Sequence, residues 1–300
     1  MIDLPSHARA VVIGGYDSLT SFLALLYCIV TRTPAILWSG STSRESAGRS
    51  WLKERVKRFF VRRCRAYAAY GTRARDYLAA LGARPERIAL AYNTVDTAWF
   101  ANAASAIDRE AERDRLGLQA MPTVLFAAQL IDRKDPLVLV EALADLKREG
   151  IDIRLIVAGN GPLEGDVRDA VSASGIPSVF TGLLPSEEMP QLYVAADVLA
   201  LPSREEIWGL VANEAMACGT PVVISEACGA AEDLVLDGLT GLVVPPGNSA
   251  ALAAAVRSLV TDDSLRRRLA DSGRRRALEF SIQQAAEGIA SAVTLVAGRR

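Results

Sequence analysis

Apolar residues in this chain gather in short continuous runs, separated by longer stretches in which apolar and polar positions mix at helical spacing. Ala10–Gly14, Ala35–Trp38, Tyr67–Tyr70, Thr123–Ala127, Arg154–Ala158, Val198–Leu201 and Val222–Ile224 read as strands. Their alternation with helical stretches is the pattern of two parallel α/β sheets, and no repeat or low-complexity tract interrupts it. The polar, Ala-rich residues 101–120 read as an inter-domain connection. Segments 1–105 and 106–278 are therefore expected as two Rossmann-like domains, and 279–300 as a closing segment, helical to about Val296. That helix either caps the second domain or crosses back onto the first.

Composition changes the picture mainly by what it excludes. Three hundred residues, half of them hydrophobic, suffice for two cores of ordinary size. The formal net charge of −1 hides an asymmetry: residues 1–100 carry 15 Lys and Arg against 7 Asp and Glu, and the remainder carries 19 against 28. Cys28, Cys64, Cys218 and Cys228 form no Cys-x-x-Cys pair. That argues against a zinc site or disulfide framework and for core residues in a reducing compartment. The start lacks the basic region of a secretory signal, and the longest apolar run, Leu19 to Val30, falls short of the roughly 20 residues a bilayer span needs. A cytoplasmic protein is expected.

Candidate chemistry concentrates between Pro202 and Pro221. Leu199 to Leu201 end a buried-type strand, Pro202 and Ser203 begin a loop, and Leu210 to Cys218 reads as a helix closed by Gly219 and Pro221. A strand, a loop and a helix N-terminus at the carboxyl edge of a parallel sheet make an anion site from unpaired N–H groups and the helix dipole. Glu214 lies among Ala, Leu, Val and Met, where an ionised carboxylate is costly without donors. Either it faces solvent, or it awaits the hydroxyls of a polyhydroxylated ligand.

The order Ser203-x-x-Glu206-x-x-Gly209-Leu210-Val211-x-x-Glu214-Ala215-Met216-Ala217-x-Gly219-x-Pro221 resembles the donor-site signature of the retaining family-four glycosyltransferases, the glycosyl transferases group 1, of GT-B fold. Further blocks follow in that family's order: Ala158-Gly159-Asn160-Gly161-Pro162, Phe180-Thr181-Gly182, Leu192-Tyr193-x-x-Ala196-Asp197-Val198, Gly229-x-x-Glu232 and Asp237-Gly238-x-Thr240-Gly241. The resemblance implies two Rossmann-like domains facing a cleft. It makes 1–105 an acceptor-side domain lacking its first strands, 106–278 the nucleotide-sugar donor domain, and 279–300 the closing helix.

It also implies roles. Glu206 lies beside the donor sugar, with Lys134 as the phosphate-binding cation. Gly159, Gly161 and the N–H groups of Gly209, Leu210 and Val211 line the donor, and Glu214 accepts from ribose hydroxyls. Gln129 stands where many members have Arg, so Arg133 is the candidate to supply that phosphate contact; the plainer reading of Arg133 and Lys134 is an exposed helix start. Asp17, Ser18, Ser39 and Ser41, at strand ends, are acceptor-side candidates. The lone His7 reads as incidental, and no side chain is nominated as general base. This fits a front-face retaining mechanism in which the leaving phosphate takes the acceptor proton, with no metal and no cofactor beyond the nucleotide-sugar co-substrate.

Residues 49–65 mix eight cations and one Glu with Trp51, Leu52, Val56, Phe59 and Phe60. A basic amphipathic helix of this kind binds an anionic membrane surface, or else buries its apolar stripe in the core and solvates its basic face. The first reading puts the protein peripherally on the inner face of the membrane. Nucleic acid is not expected, because the aromatics follow a helix face. The expected activity is sugar transfer from a nucleotide-diphosphate donor to a glycan, lipid or small-molecule acceptor. The rival readings are a nucleotide-sugar epimerase of the same architecture and an inactive nucleotide- or membrane-binding relative.

Overall fold

The structure is a computed structural model that describes residues 8–44, 51–118 and 121–297; His7 and Arg49 lie outside them. The chain forms two compact units, one of residues 1–93 with the C-terminal segment from Ile282, the other Thr94–Ser281.

The first unit holds β1 (Val11–Gly14), α1 (Leu19–Thr31), β2 (Ala35–Ser39), α2 (Trp51–Arg63), β3 (Ala66–Ala69), α3 (Thr72–Leu81) and β4 (Ile88–Leu90). Its strands pair in parallel in the order β1-β2-β3-β4. Successive residues on a strand point to opposite faces, and the two faces are covered differently. Leu37, Tyr67 and Ala69 meet Leu25, Cys28, Phe60, Val61, Leu78 and Leu81 from α1, α2 and α3. Ile36, Ala66, Ala68 and Ala91 meet α12 (Ile282–Ala297), the last helix of the chain. That face is built of small residues, and Gly288 lets α12 come close: a Cβ there would stand 2.1 Å from the Leu90 carbonyl oxygen.

The second unit begins earlier than the sequence suggests. Residues 101–120 are not a loose connection, because α4 (Thr97–Ser105) and α5 (Arg109–Arg115) occupy most of them. Asp96 and Asp108 cap these helices by accepting from backbone N–H groups, which fixes where each starts. Arg109 and Arg113 of α5 then bind the Asp197 carboxylate and the last carbonyls of the helix α8 (Met189–Ala195). Cations at a helix C-terminus offset its dipole, so this patch of charge is structural.

There follow β5 (Thr123–Ala127), α6 (Pro136–Arg148), β6 (Arg154–Ala158), α7 (Glu164–Ser174), β7 (Ser178–Gly182), α8 (Met189–Ala195), β8 (Val198–Leu201), α9 (Leu210–Ala217), β9 (Val222–Ser225), β10 (Leu242–Val244), α10 (Ser249–Thr261) and α11 (Asp263–Glu279). The sheet is parallel throughout, in the order β10-β9-β8-β5-β6-β7. Every residue of β5, β8 and β9 is buried, as a parallel sheet covered on both faces requires. The chain runs outward from β5 through β6 to β7, then returns to place β8 on the other side of β5. That reversal is the topological switch point of the sheet, where the loops after the two strands splay apart and leave a crevice.

Candidate functional site

The loops that leave β5 and β8 meet at this switch point and are tied to each other. The backbone N–H of Arg204 donates to the Arg133 carbonyl at 2.8 Å, and Arg204 Nε lies 2.7 Å from Asp135 Oδ2. Lys134 occupies a 3-10 turn, Asp132–Lys134, and its Nζ pairs directly with Glu206 Oε2. Both side chains are nearly withdrawn from water, at 11% and 12% exposure. The exposed helix start is therefore excluded for Lys134. It holds for Arg133, whose side chain is exposed while its carbonyl serves the loop contact.

Burial, with Arg133 adding to it, draws the Lys134 ammonium down from the usual 10.5 to about 8. A cation held there is poorly hydrated and ready to bind an incoming anion.

Glu206 itself is fixed from behind. Its carbonyl accepts from the Gly229 N–H at 3.0 Å, and a Cβ on Gly229 would meet the Ile207 oxygen at 1.9 Å. Only glycine permits the two loops to close so tightly. Ser203, the first residue of the segment, is wholly buried, and its Oγ has no hydrogen-bond partner among the described residues.

Helix α9 begins beside Glu206. Its N-cap is Gly209 at φ 96°, with no side chain capping the helix; the Ala212 N–H donates to the Gly209 carbonyl at 2.9 Å, which leaves the N–H groups of Leu210 and Val211 as the donors available at the helix start. A positive dipole end and unfilled donors are the requirements of an oxyanion site. One turn further on, Glu214 corrects the sequence reading. It neither faces open solvent nor waits unpartnered, because Tyr193 Oη donates to its Oε2 at 2.6 Å. Burial raises the Glu214 pKa, and the tyrosine bond works against that rise. Burial first, and then the Glu214 charge, lifts the Tyr193 phenol well above its ordinary value, so it remains a donor.

The glycosyl transferases group 1 family model matches residues 108–276. The chain belongs to this family. A relative in the same family, alpha-D-kanosaminyltransferase of Streptomyces kanamyceticus, is 34% identical over 221 residues, covering 72% of this chain and 56% of that protein. The GDP-mannose-dependent alpha-(1-6)-phosphatidylinositol monomannoside mannosyltransferase of Mycolicibacterium smegmatis is 37% identical over 194 residues, 62% of this chain and 50% of its own. The chain thus spans about half the length of the curated relatives it matches. Among solved structures, HepE of Anabaena in complex with UDP superposes with a TM-score of 0.80 at 21% identity, covering 94% of this chain and 78% of that one. The two parallel sheets with their helices are the fold of the GT-B glycosyltransferases.

The remaining family positions sort by geometry. Gly159 and Gly161 have φ 139° and 159°, and a Cβ on either would stand 2.0 Å from the Ala128 oxygen or 2.4 Å from the Leu130 oxygen. They pack the loop after β6 against the loop after β5, and the Leu130 N–H donates to Asn160 O at 2.9 Å. Gln129 is exposed near this junction, and Val211 is half-buried in the first turn of α9. In the first unit, Ser18 caps α1 by accepting from the Ser21 N–H, and buried Ser39 accepts from the Ser41 N–H at 3.3 Å. Asp17 is exposed beside them. Sequence reasoning marked Tyr193 only as part of a family block, with no role at the site, and did not mark Arg204; the partners of both are remote in the chain. Among the described residues, no three His, Cys, Asp or Glu side chains gather as a metal-ligand set.

Proposed function

We propose that this chain transfers a sugar from a nucleoside-diphosphate donor to a hydroxyl of a glycan, lipid-linked or small-molecule acceptor, retaining the anomeric configuration and using no metal. The observation that carries this reading is the buried Lys134–Glu206 pair at the switch point, beside the uncapped start of α9. The bond between the anomeric carbon and the β-phosphate oxygen breaks, and negative charge collects on the leaving diphosphate. Lys134 and the first N–H groups of α9 stabilise that charge in a site already shielded from water. The acceptor oxygen bonds to the anomeric carbon on the same face, and its proton passes to the leaving phosphate. Glu206 is neutralised by Lys134 and so is poorly suited to act as a free nucleophile; beside the sugar it orients the ring. Glu214 keeps Oε2 on Tyr193 and offers Oε1 to the ribose.

Replacing Lys134 or Glu206 by Ala is expected to lower turnover by about 10²- to 10³-fold, the scale for removing one preorganised charge-stabilising group. Transfer and donor hydrolysis at wild-type rates in both variants would sink the assignment. An epimerase would release no nucleoside diphosphate in the same incubation. A thermal-shift series with UDP, GDP and ADP identifies the base, since a ligand bound only by the folded state adds about 2.7 kcal/mol at a hundredfold excess over its Kd.

The acceptor side is proposed to work at the inner face of a membrane. Trp51, Leu52, Val56 and Phe59 of α2 are exposed, 39% or more, among exposed Lys53, Arg55, Arg58 and Arg62. Phe60 and Val61 on the opposite side enter the core, so the helix serves both readings of its sequence. A relative named for a phosphatidylinositol monomannoside acceptor supports a lipid-linked substrate. No helix of the described residues is long and apolar enough to cross a membrane.

A further inference from the structure

Six arginines gather at the amino-terminal edge of the four-stranded sheet, the end opposite the one where α/β sheets bind their ligands. Arg32 follows α1, Arg62 and Arg63 end α2, Arg65 precedes β3, and Arg84 and Arg87 follow α3. Together they line a groove of about 840 Å³ into which no carboxylate projects among the described residues; Glu86, adjacent in sequence, is exposed outside it. Arg87 donates to the Leu295 carbonyl and Arg63 stacks 4.8 Å from the Phe59 ring centre. The side chains of Arg32, Arg62, Arg65 and Arg84 make no ion pair or hydrogen bond among the described residues. Four helix C-termini converge here, those of α1, α2, α3 and α12, and each attracts cations with about half a negative charge. That accounts for roughly two of the six positive charges.

The apolar surface beside the groove is exposed. On α1, Leu19, Leu23, Leu26 and Val30 recur at a helical spacing of three and four and are 49% to 76% exposed. On α2, Leu52, Val56 and Phe59 repeat the pattern. The two helices touch through Phe22 and Phe60, whose rings lie 5.3 Å apart, and the C-terminal ends of both helices open on the groove. Paired apolar stripes ending at a cluster of unpaired guanidinium groups complement one kind of partner: an amphiphile with an anionic head.

We infer that this groove holds the phosphate headgroup of an anionic lipid, while the outer stripes of α1 and α2 enter the acyl boundary. The inference deepens the membrane-side reading above and rests on it; it is independent of whether the chain transfers sugar. Each cation near an anionic surface contributes enough that Arg32→Gln, Arg62→Gln and Arg84→Gln together should weaken binding roughly a hundredfold.

Cosedimentation of the full chain with phosphatidylcholine vesicles, with and without phosphatidylglycerol, tests it. Binding is expected only with phosphatidylglycerol, and should fall in the triple variant and in Leu26→Ser/Val30→Ser. Both variants should keep their thermal midpoints and their response to nucleoside diphosphates. Wild-type vesicle binding by either folded variant overturns the inference, as does a wild-type protein that ignores both vesicles. Saturation of the groove by glycerol phosphate without vesicle binding would make the occupant a soluble phosphate, and dimerisation lost in Leu26→Ser/Val30→Ser with vesicle binding unchanged would assign the stripe to a second copy; each overturns it. Vesicle binding by a chain inactive in transfer supports the inference while removing the proposed enzyme activity, and the reverse result separates them the other way.

Discussion

The carboxyl edge of the six-stranded sheet and the amino edge of the four-stranded sheet both concentrate charge, and they treat it oppositely. At the first, the charges withdrawn from water have partners: Lys134 with Glu206, Asp135 with Arg204, and Glu214 with the Tyr193 hydroxyl. At the second, four of six guanidinium groups have none among the described residues. The difference follows from burial. Lys134 and Glu206 are almost out of water, where an unpaired charge costs several kcal/mol, so the fold must supply a counter-charge until a ligand does. Arg32, Arg62, Arg65 and Arg84 are exposed, and water solvates them at little cost.

The most disruptive way to break the comparison is to dissolve the groove itself. Phe60 is fully buried and holds α2 against α1 and the sheet through edge contacts with Phe22 and Tyr16. Phe60→Ala is expected to cost about 3 to 5 kcal/mol, by lost transfer energy plus the cavity left behind. Denaturant melting should show the loss in the first unit, with the UDP or GDP response of the second retained. A variant as stable as wild type would mean that α2 is not anchored by this ring.

Somewhat smaller effects test the paired edge. Glu206→Leu strands the Lys134 ammonium and should cost about 2 to 3 kcal/mol, much of it recovered in the double variant Lys134→Met/Glu206→Leu. Additive losses in that cycle would show that the pair is not coupled. The sign of the pH dependence is fixed by the shift of Lys134 to about 8, below its ordinary 10.5. The folded protein loses this proton first, so turnover that needs the ammonium declines as pH rises through about 8, and in Glu206→Gln the decline should begin at lower pH. A pH profile flat to 10 would remove Lys134 from the charge-stabilising role.

How much of this was legible beforehand differs between the two edges as well. Thr123–Ala127, Arg154–Ala158 and Val198–Leu201 carry runs so apolar that their strand ends coincide with the observed ones. The three-residue strands Ile88–Leu90 and Leu242–Val244 were missed, since runs that short carry no period. The misread connection held its own correction, as Asp96 and Asp108 are N-cap residues standing where α4 and α5 begin. Motif spacing marked Lys134 and Glu206 singly, but they lie 72 residues apart, and only the β5–β8 adjacency makes them a pair. The arginine groove was invisible for a related reason. Its members end successive helices or begin successive strands, so the βα repeat assembles them while the sequence scatters them.

A finer test concerns the Tyr193–Glu214 bond. Tyr193→Phe keeps the ring and removes one charge-assisted hydrogen bond, with an expected loss of about 1 to 2 kcal/mol at neutral pH. The Glu214 pKa already lies above its ordinary value through burial, and without the tyrosine it should rise further. A group with a raised native pKa favours folding most when protonated, so the penalty of the variant should shrink as pH falls through the Glu214 titration. Equal losses at pH 4 and pH 7 would show that the hydroxyl acts by packing alone.

The smallest effect is the one that most sharply divides the two edges. Arg84→Gln removes an exposed cation from a cluster of like charges, and its effect on folding stability should stay within about 0.5 kcal/mol, toward stabilisation. Repulsion among the six guanidinium groups is screened by salt over about 10 Å at 0.1 M, so added sodium chloride should stabilise the wild type slightly more than Arg84→Gln. A substantial destabilisation would mean that Arg84 is bonded within the fold as Arg87 is to Leu295. The charges of this edge would then belong to its architecture, and the contrast with the Lys134–Glu206 edge would fail.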